Sequence, residues 1–108
     1  MEKRVVITGL GAVTPVGIGK DAFYEALLAG KSGIGPITHF DASEYATRIA
    51  GEVKDFDITN YGVEKKEARR MDRSAEFAIA AAVMALEDSH LELDEEDRDR
   101  CGTVVGTG

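Results

Sequence analysis

Three side chains in this sequence have the chemistry of nucleophiles or general bases: Cys101, His39 and His90. The neighbouring Arg98 and Arg100 would favour the Cys101 thiolate, the form that attacks carbonyl carbon. No histidine lies near Cys101 in the sequence and no helix is predicted to begin there, which favours a small residue at a strand entrance. His39 is interpreted as a turn residue and His90 as a helix-end residue, where the helix dipole favours a positive ring. Their spacing fits no metal site.

A cluster of basic residues is the strongest candidate for a binding function. Residues 65–73 contain five basic and two acidic side chains, although the whole chain has a formal net charge of -7. If these residues form one helix turning about 100° per residue, all five basic side chains lie within an arc of about 140°. They are Lys65, Lys66, Arg69, Arg70 and Arg73. The pattern is consistent with a solvated helix face, or with a docking surface for an acidic partner.

A glycine-rich turn follows the first apolar segment of the chain. Gly9-Leu10-Gly11 supplies the first two glycines of a dinucleotide-binding turn, in which the backbone approaches a pyrophosphate at a helix N-terminus. The third glycine is missing, because position 14 is Thr14 and Pro15 follows it. The next helix is not predicted to begin until about residue 20. The sequence therefore favours a structural glycine turn over a nucleotide site.

The elements that must position these side chains are a mixture of short strands and helices. Strands are predicted for residues 4–8, 47–53 and 102–105, and helices for residues 20–29, 64–71 and 72–90. The first strand is a continuous β-branched run, so it is expected to be buried and central in a sheet. Gly30 is suited to end the first helix in a left-handed conformation, and Asp72 to cap the last one.

The last predicted helix carries an unusual apolar stretch. Residues 77–86 contain no polar side chain, so this helix has no face suited to water and must be covered on all sides. Two or three strands and one other helix would cover about half of such a surface. The remaining cover is expected from a partner chain or from further sequence.

Length and composition exclude several classes of protein. A chain of 108 residues supports at most one domain with one modest core. The acidic balance argues against nucleic-acid binding, and one cysteine excludes an internal disulfide. No apolar run is long enough for a membrane helix and the N-terminus lacks the pattern of a signal peptide, so we expect a cytoplasmic protein without membrane contact.

Several motifs resemble those of one enzyme family, the β-ketoacyl-[acyl-carrier-protein] synthases of the elongating type II class. They occur in family order and spacing along the whole chain, and the first is shared with polyketide ketosynthases. They are RVVITGLGAVTPVG at residues 4–17, LLAGKSGI at residues 27–34, HFD at residues 39–41, RMD at residues 70–72 and the closing GTG at residues 106–108. The resemblance implies an α/β fold of the thiolase-like type, with five layers (αβαβα) in a complete protein that is usually a homodimer. Residues 1–108 would be the opening, incomplete part of its first half.

The resemblance also implies a reaction. Family members condense an enzyme-bound acyl thioester with malonyl-ACP by decarboxylative Claisen chemistry, using one cysteine and two histidines. Cys101 does not lie in a turn like the one that carries the family's nucleophile, and neither histidine lies in the family's catalytic histidine motifs. The catalytic residues are therefore expected beyond Gly108, and this chain alone should be inactive. No cofactor or metal is expected in the protein, because 4′-phosphopantetheine arrives on the carrier protein.

What the resemblance does place in this chain is a docking surface. Relatives use basic residues at the matching positions to contact the acidic acyl carrier protein, and acyl-ACP and malonyl-ACP are the implied substrates. The matching residues are Lys65, Lys66, Arg69 and Arg70. Two alternatives stay open: a non-catalytic homologue that binds carrier protein and sets chain length, and a self-sufficient small α/β binding domain.

Overall fold

The computed structural model describes residues 1–96 and 98–108. Its described part combines helices with two small antiparallel hairpins, so it contains both element types of an α/β protein. The strands are β1 (Val13–Thr14), β2 (Gly17–Ile18), β3 (Ile34–Pro36) and β4 (Ile49–Gly51). The helices are α1 (Lys20–Leu28), α2 (Lys65–Ala68) and α3 (Arg73–Ser89), with short 3₁₀ turns at Ile58–Tyr61 and Arg98–Arg100.

The two hairpins are built by local sequence signals. Strand β1 pairs with β2 around a turn in which the Thr14 hydroxyl accepts hydrogen bonds from the backbone N–H of Val16 and Gly17, at 3.3 and 3.1 Å. Strand β3 pairs with β4 in the register Gly35 to Ala50. The strand predicted for residues 47–53 is therefore confirmed in its central part only.

The helix boundaries follow the predicted capping residues. Gly30 has a φ of 68° just after α1, as expected for a residue that ends a helix in the left-handed region. The Asp72 carboxylate accepts a hydrogen bond from the backbone N–H of Ala75 at 2.8 Å and so caps α3. His90 ends α3 with a φ of 57°, which confirms its interpretation as a helix-end residue.

The strands predicted at residues 4–8 and 102–105 are wrong for this structure. Val5 is 94% exposed and Val104 100% exposed, and neither segment is paired with any strand among the described residues. A β-branched run becomes a strand only where a neighbour accepts and donates backbone hydrogen bonds. The expected central position of the first segment in a sheet is wrong for the same reason.

The glycine turn lies directly against α3. A Cβ atom at Gly11 would overlap the carbonyl oxygen of Ala81, and one at Gly9 would overlap that of Ala85. Only glycine allows two backbones to approach so closely. The structural interpretation of the Gly9-Leu10-Gly11 turn is therefore supported: its glycines face a helix side, and α1 begins only at Lys20.

A carboxylate on α3 also holds the glycine turn against this helix. Asp88, near the end of α3, accepts a hydrogen bond from the Leu10 backbone N–H at 2.9 Å and one from the Lys20 ammonium at 2.5 Å. These two bonds hold the pKa of Asp88 below its usual value of 3.8. The glycine turn, the start of α1 and the end of α3 thus meet at one side chain.

The core is sparse for a chain of this size. Among residues 1–96 and 98–108, the buried apolar side chains belong to three alanines and one isoleucine: Ala26, Ala42, Ala80 and Ile58. The chain exposes 9181 Å², whereas a compact protein of this mass exposes about 5,800 Å². Its radius of gyration is 17.1 Å, against about 13 Å for a compact domain.

The apolar stretch of α3 shows where cover is missing. Ala80 is fully buried, but Ala78, Ile79, Ala82 and Leu86 are exposed. The prediction that elements of this chain cover only part of the helix is confirmed. No helix among residues 1–96 and 98–108 is long and apolar enough to cross a membrane.

Candidate functional site

The basic residues are presented by a short segment between two capped turns. Asp57 begins the first 3₁₀ turn by accepting hydrogen bonds from the backbone N–H and the hydroxyl of Thr59, at 2.9 and 2.7 Å. Ile58, 3% exposed, is buried in this turn, which contacts both α2 and α3. Gly62 then turns the chain with a φ of 84°, and α2 begins at Lys65.

The helix predicted for residues 64–71 consists of one α-helical turn followed by a tighter turn with hydrogen bonds between residues three positions apart. Helix α2 ends at Ala68, and the next hydrogen bonds, from Arg70 N–H to Glu67 and from Met71 N–H to Ala68, span three residues. Because Asp72 then restarts the helix as a cap, α2 and α3 are not one continuous element. The single arc of five basic side chains is therefore wrong.

Four of the five basic residues nevertheless remain together in sequence and on the surface. Lys65, Lys66, Arg69 and Arg70 are all exposed, and we call them the basic surface. Within the part of the chain that the structure describes, none of the four side chains forms an ion pair or a hydrogen bond. They span five residue steps, about 8 Å along a helix axis. Four closely spaced, exposed cations can attract an acidic surface.

Arg73 does not belong to this surface. Its guanidinium lies 5.2 Å from the ring centre of Phe56 and 5.0 Å from that of Phe77. It also donates a hydrogen bond to the Val53 carbonyl oxygen at 3.1 Å and lies 3.5 Å from a Glu76 carboxylate oxygen. Arg73 is exposed at the surface, but these contacts give it a structural role.

The nucleophile and base candidates are not brought together. Cys101 is exposed after the Arg98–Arg100 turn, without a strand following it, and the groove that it lines with Leu86 and Leu93 holds no histidine. His90 lies at the end of α3, with Nδ1 2.8 Å from the Glu87 carbonyl oxygen. His39 lies in a turn, with Nε2 3.9 Å from a Glu52 carboxylate oxygen. Among the described residues no cluster suited to a metal ion occurs.

Glu52 is an important residue that the sequence interpretation did not single out. Its buried carboxylate accepts hydrogen bonds from the Thr38 hydroxyl at 2.7 Å, the Thr38 N–H at 2.9 Å and the His39 N–H at 3.3 Å. The Thr38 bonds, led by that of the hydroxyl, hold the pKa of Glu52 below its usual value of 4.5. An acid placed between Gly51 and Val53 after an apolar strand is the only sequence signal for this role.

We expect Glu52→Gln to weaken folding at neutral pH and to reduce the loss of stability in acid. A carboxyl with a depressed folded-state pKa stabilises the fold above its unfolded pKa, and this stabilisation is lost as the pH falls through the folded value. The window therefore lies at and below about pH 4.5. Urea midpoints of the whole protein at pH 7, 5 and 4 measure the effect, with exposed Glu44→Gln as control. An unchanged acid dependence in Glu52→Gln would contradict the assignment.

The amino-acid sequence matches one known protein family along almost its whole length. The model of the family described as β-ketoacyl synthase, N-terminal domain, matches residues 2–108. The chain belongs to this family. It is 50% identical over 107 residues to the 3-oxoacyl-[acyl-carrier-protein] synthase 2 of Synechocystis sp. and likewise 50% to that of Vibrio harveyi, covering 99% of this chain in both cases. The corresponding protein of Staphylococcus aureus strain COL is 45% identical over 106 residues.

A solved structure shares the architecture. A chain of the ishigamide ketosynthase/chain length factor superimposes with a TM-score of 0.72 and 36% sequence identity, over 83% of this chain and 22% of that one. The chain also spans about a quarter of the length of the curated relatives, 26% for the two synthases from Synechocystis and Vibrio harveyi. The resemblance found from the sequence motifs is therefore confirmed at the level of the family.

Proposed function

We propose that this chain is the opening, incomplete part of a thiolase-like β-ketoacyl-[acyl-carrier-protein] synthase that elongates fatty acyl chains. The observation that carries the proposal is 50% identity, along 99% of this chain, to proteins named 3-oxoacyl-[acyl-carrier-protein] synthase 2. The missing cover of α3 and the large exposed surface support an incomplete domain, because further layers would bury the exposed Ile79 and Leu86. The whole protein would be a cytoplasmic homodimer.

In the proposed reaction, a cysteine thiolate displaces the carrier-protein thiol from the acyl thioester and takes the acyl group. Malonyl on a second carrier protein loses carbon dioxide, and the resulting carbanion attacks the acyl thioester and releases the cysteine thiolate. We place none of these catalytic groups in this chain. In the described structure Cys101 follows the Arg98–Arg100 turn and does not begin a helix, and no histidine lines the groove beside it.

The chain's own contribution would be scaffold and recognition of the acyl carrier protein, which brings its own 4′-phosphopantetheine. The basic surface offers four exposed cations with no ion-pair partner among the described residues. Opposite charges on an acidic carrier would accelerate encounter and orient the complex, and high salt would screen both effects.

Charge reversal in the whole protein tests the docking proposal. Because exposed ion pairs contribute about 0.2–1 kcal/mol each and reversal adds repulsion, Lys65→Glu with Arg69→Glu should weaken carrier binding about tenfold or more at low salt. The variant should also show a shallower dependence of affinity on salt. Surface plasmon resonance with holo carrier protein at several salt concentrations measures both quantities.

Lys3→Glu with Lys31→Glu is the matched control for this experiment. Both lysines are exposed, and the double substitution makes the same change in net charge away from the basic surface. It should leave carrier affinity close to that of the parent protein. Equal affinities of the two double variants at low salt would exclude the basic surface as the docking site.

A non-catalytic homologue that sets chain length is the second candidate function. It is favoured by the similarity to a chain of a ketosynthase/chain length factor. The two candidates differ in acyl transfer, so the whole protein should be incubated with acyl-ACP and its mass measured. A covalent acyl adduct on a cysteine supports the synthase, whereas carrier binding without an adduct supports the non-catalytic homologue. A self-sufficient binding domain is the least favoured, because the described residues bury only one apolar side chain larger than alanine.

A further inference from the structure

Arg73 and three aromatic rings form a cluster directly beside the basic surface. The guanidinium of Arg73 faces Phe56 and Phe77 at 5.2 and 5.0 Å, and these two rings meet edge to face with centres 5.2 Å apart. Phe56 also stacks on Tyr61, with centres 5.8 Å apart and planes 19° from parallel. We call Phe56, Tyr61 and Phe77 the aromatic cluster.

This cluster connects the rigid helix to the segment that carries the basic surface. Phe77 belongs to α3, Tyr61 is the last residue of the first 3₁₀ turn, and α2 begins four residues later and contacts that turn. Through its hydrogen bond to the Val53 carbonyl, Arg73 also holds the chain that leads into the turn. The contacts of Arg73 with the rings therefore help to fix the orientation of α2 relative to α3.

We propose that Arg73 is a positioning residue for carrier recognition, one that holds the basic surface in its docking orientation by packing its guanidinium against both Phe56 and Phe77. This inference rests on the proposed docking function. It assigns to Arg73 a role different from that of the four exposed cations, because its positive charge already faces Glu76 and the two ring faces. A guanidinium suits this role better than a lysine ammonium, because its planar, forked group contacts both rings while it also donates a hydrogen bond to the Val53 carbonyl oxygen.

The expected consequence follows from population arithmetic. When the contacts that fix a docking segment weaken, only a fraction of molecules is competent to bind, and the apparent dissociation constant rises by the inverse of that fraction. If one molecule in five remains competent, the KM for a carrier-linked substrate rises about fivefold. A substrate without carrier protein does not meet the basic surface, so its KM and kcat should stay close to those of the parent.

The test uses Phe56→Leu, Arg73→Lys and Arg73→Met in the whole protein, with steady-state kinetics on acyl-ACP and on the same acyl group carried by free pantetheine. We expect KM for acyl-ACP to rise about fivefold in all three, with kcat and the pantetheine kinetics little changed. Phe56→Tyr retains the ring and should restore the parent KM. Because Phe56→Leu alters no charge, it should leave the salt dependence of KM unchanged.

Three outcomes would overturn the inference. Full activity of Arg73→Lys with acyl-ACP would show that only the charge matters, and equal losses with both substrates would show a general structural role. An unchanged KM in Phe56→Leu, when Lys65→Glu with Arg69→Glu does raise it, would leave the docking surface intact as a proposal and exclude positioning by the cluster. If both Phe56→Leu and the charge-reversal variant retain the parent KM for acyl-ACP, the docking function itself fails.

Discussion

Replacing Gly11 by alanine should destabilise the protein by about 1–3 kcal/mol, the usual range for forcing an extra carbon into a closed contact. The added methyl group would overlap the Ala81 carbonyl oxygen and lie 3.0 Å from the Ala85 nitrogen. Both atoms belong to the backbone of α3, so neither can rotate away as a side chain would. The turn must separate from the helix, which also strains the nearby hydrogen bond from Leu10 to Asp88.

The measurement is urea unfolding of the whole protein with the Gly35→Ala variant as control. A Cβ at Gly35 meets no atom within 4 Å, and this residue lies in a paired strand with an ordinary φ. Gly35→Ala should therefore stay within about 0.5 kcal/mol of the parent, as substitutions away from packed contacts usually do. Equal stability of the Gly11→Ala and Gly35→Ala variants would mean that the turn does not rest on α3.

Truncation of Ile58 should have an effect of similar size, about 3 kcal/mol, because a buried isoleucine loses its transfer free energy and leaves a cavity. Ile58 is the only buried apolar residue larger than alanine among the described residues, and it lies in the first 3₁₀ turn, which precedes α2 and contacts both α2 and α3. Ile58→Ala should therefore lower the urea midpoint and also raise the KM for acyl-ACP, since the basic surface follows this turn directly.

Ile58→Val provides the graded control. It removes one methylene group and should lose only about 1 kcal/mol, with little change in carrier recognition. The ratio of the two losses indicates how well the site is packed. If Ile58→Ala proved as stable as Ile58→Val, the turn would not be anchored by this side chain.

Signals that act within a few residues allowed much of the helical structure to be predicted. The Asp72 cap and Gly30 both lie where the sequence predicted them, because a cap needs only its own neighbours to form. The strands at residues 4–8 and 102–105 failed because a strand needs a partner that is distant in sequence. A run of β-branched residues indicates a preference for extended backbone, but it does not show whether a partner strand is present.

The residues of the candidate site could be predicted from the sequence, but their arrangement could be predicted only in part. Exposure of Lys65, Lys66, Arg69 and Arg70 follows from their charge. Arg73 is separated from this group by the turn after Ala68. It contacts two aromatic rings, one from a residue before it in the sequence and one from a residue after it. Glu52 was missed because its partners, on residues 38 and 39, approach only when β3 pairs with β4.

The contact between the glycine turn and α3 also determines when this part of the protein can fold. Leu10 and Asp88 are separated by 78 positions, and closing a loop of that length costs about 4 kcal/mol before any contact compensates for it. During synthesis the turn has no helix to rest on until α3 has emerged from the ribosome. Val5 and Ile7 remain exposed to water even after the turn has packed against α3. A nascent chain of this kind is a natural client for chaperones that shield apolar segments.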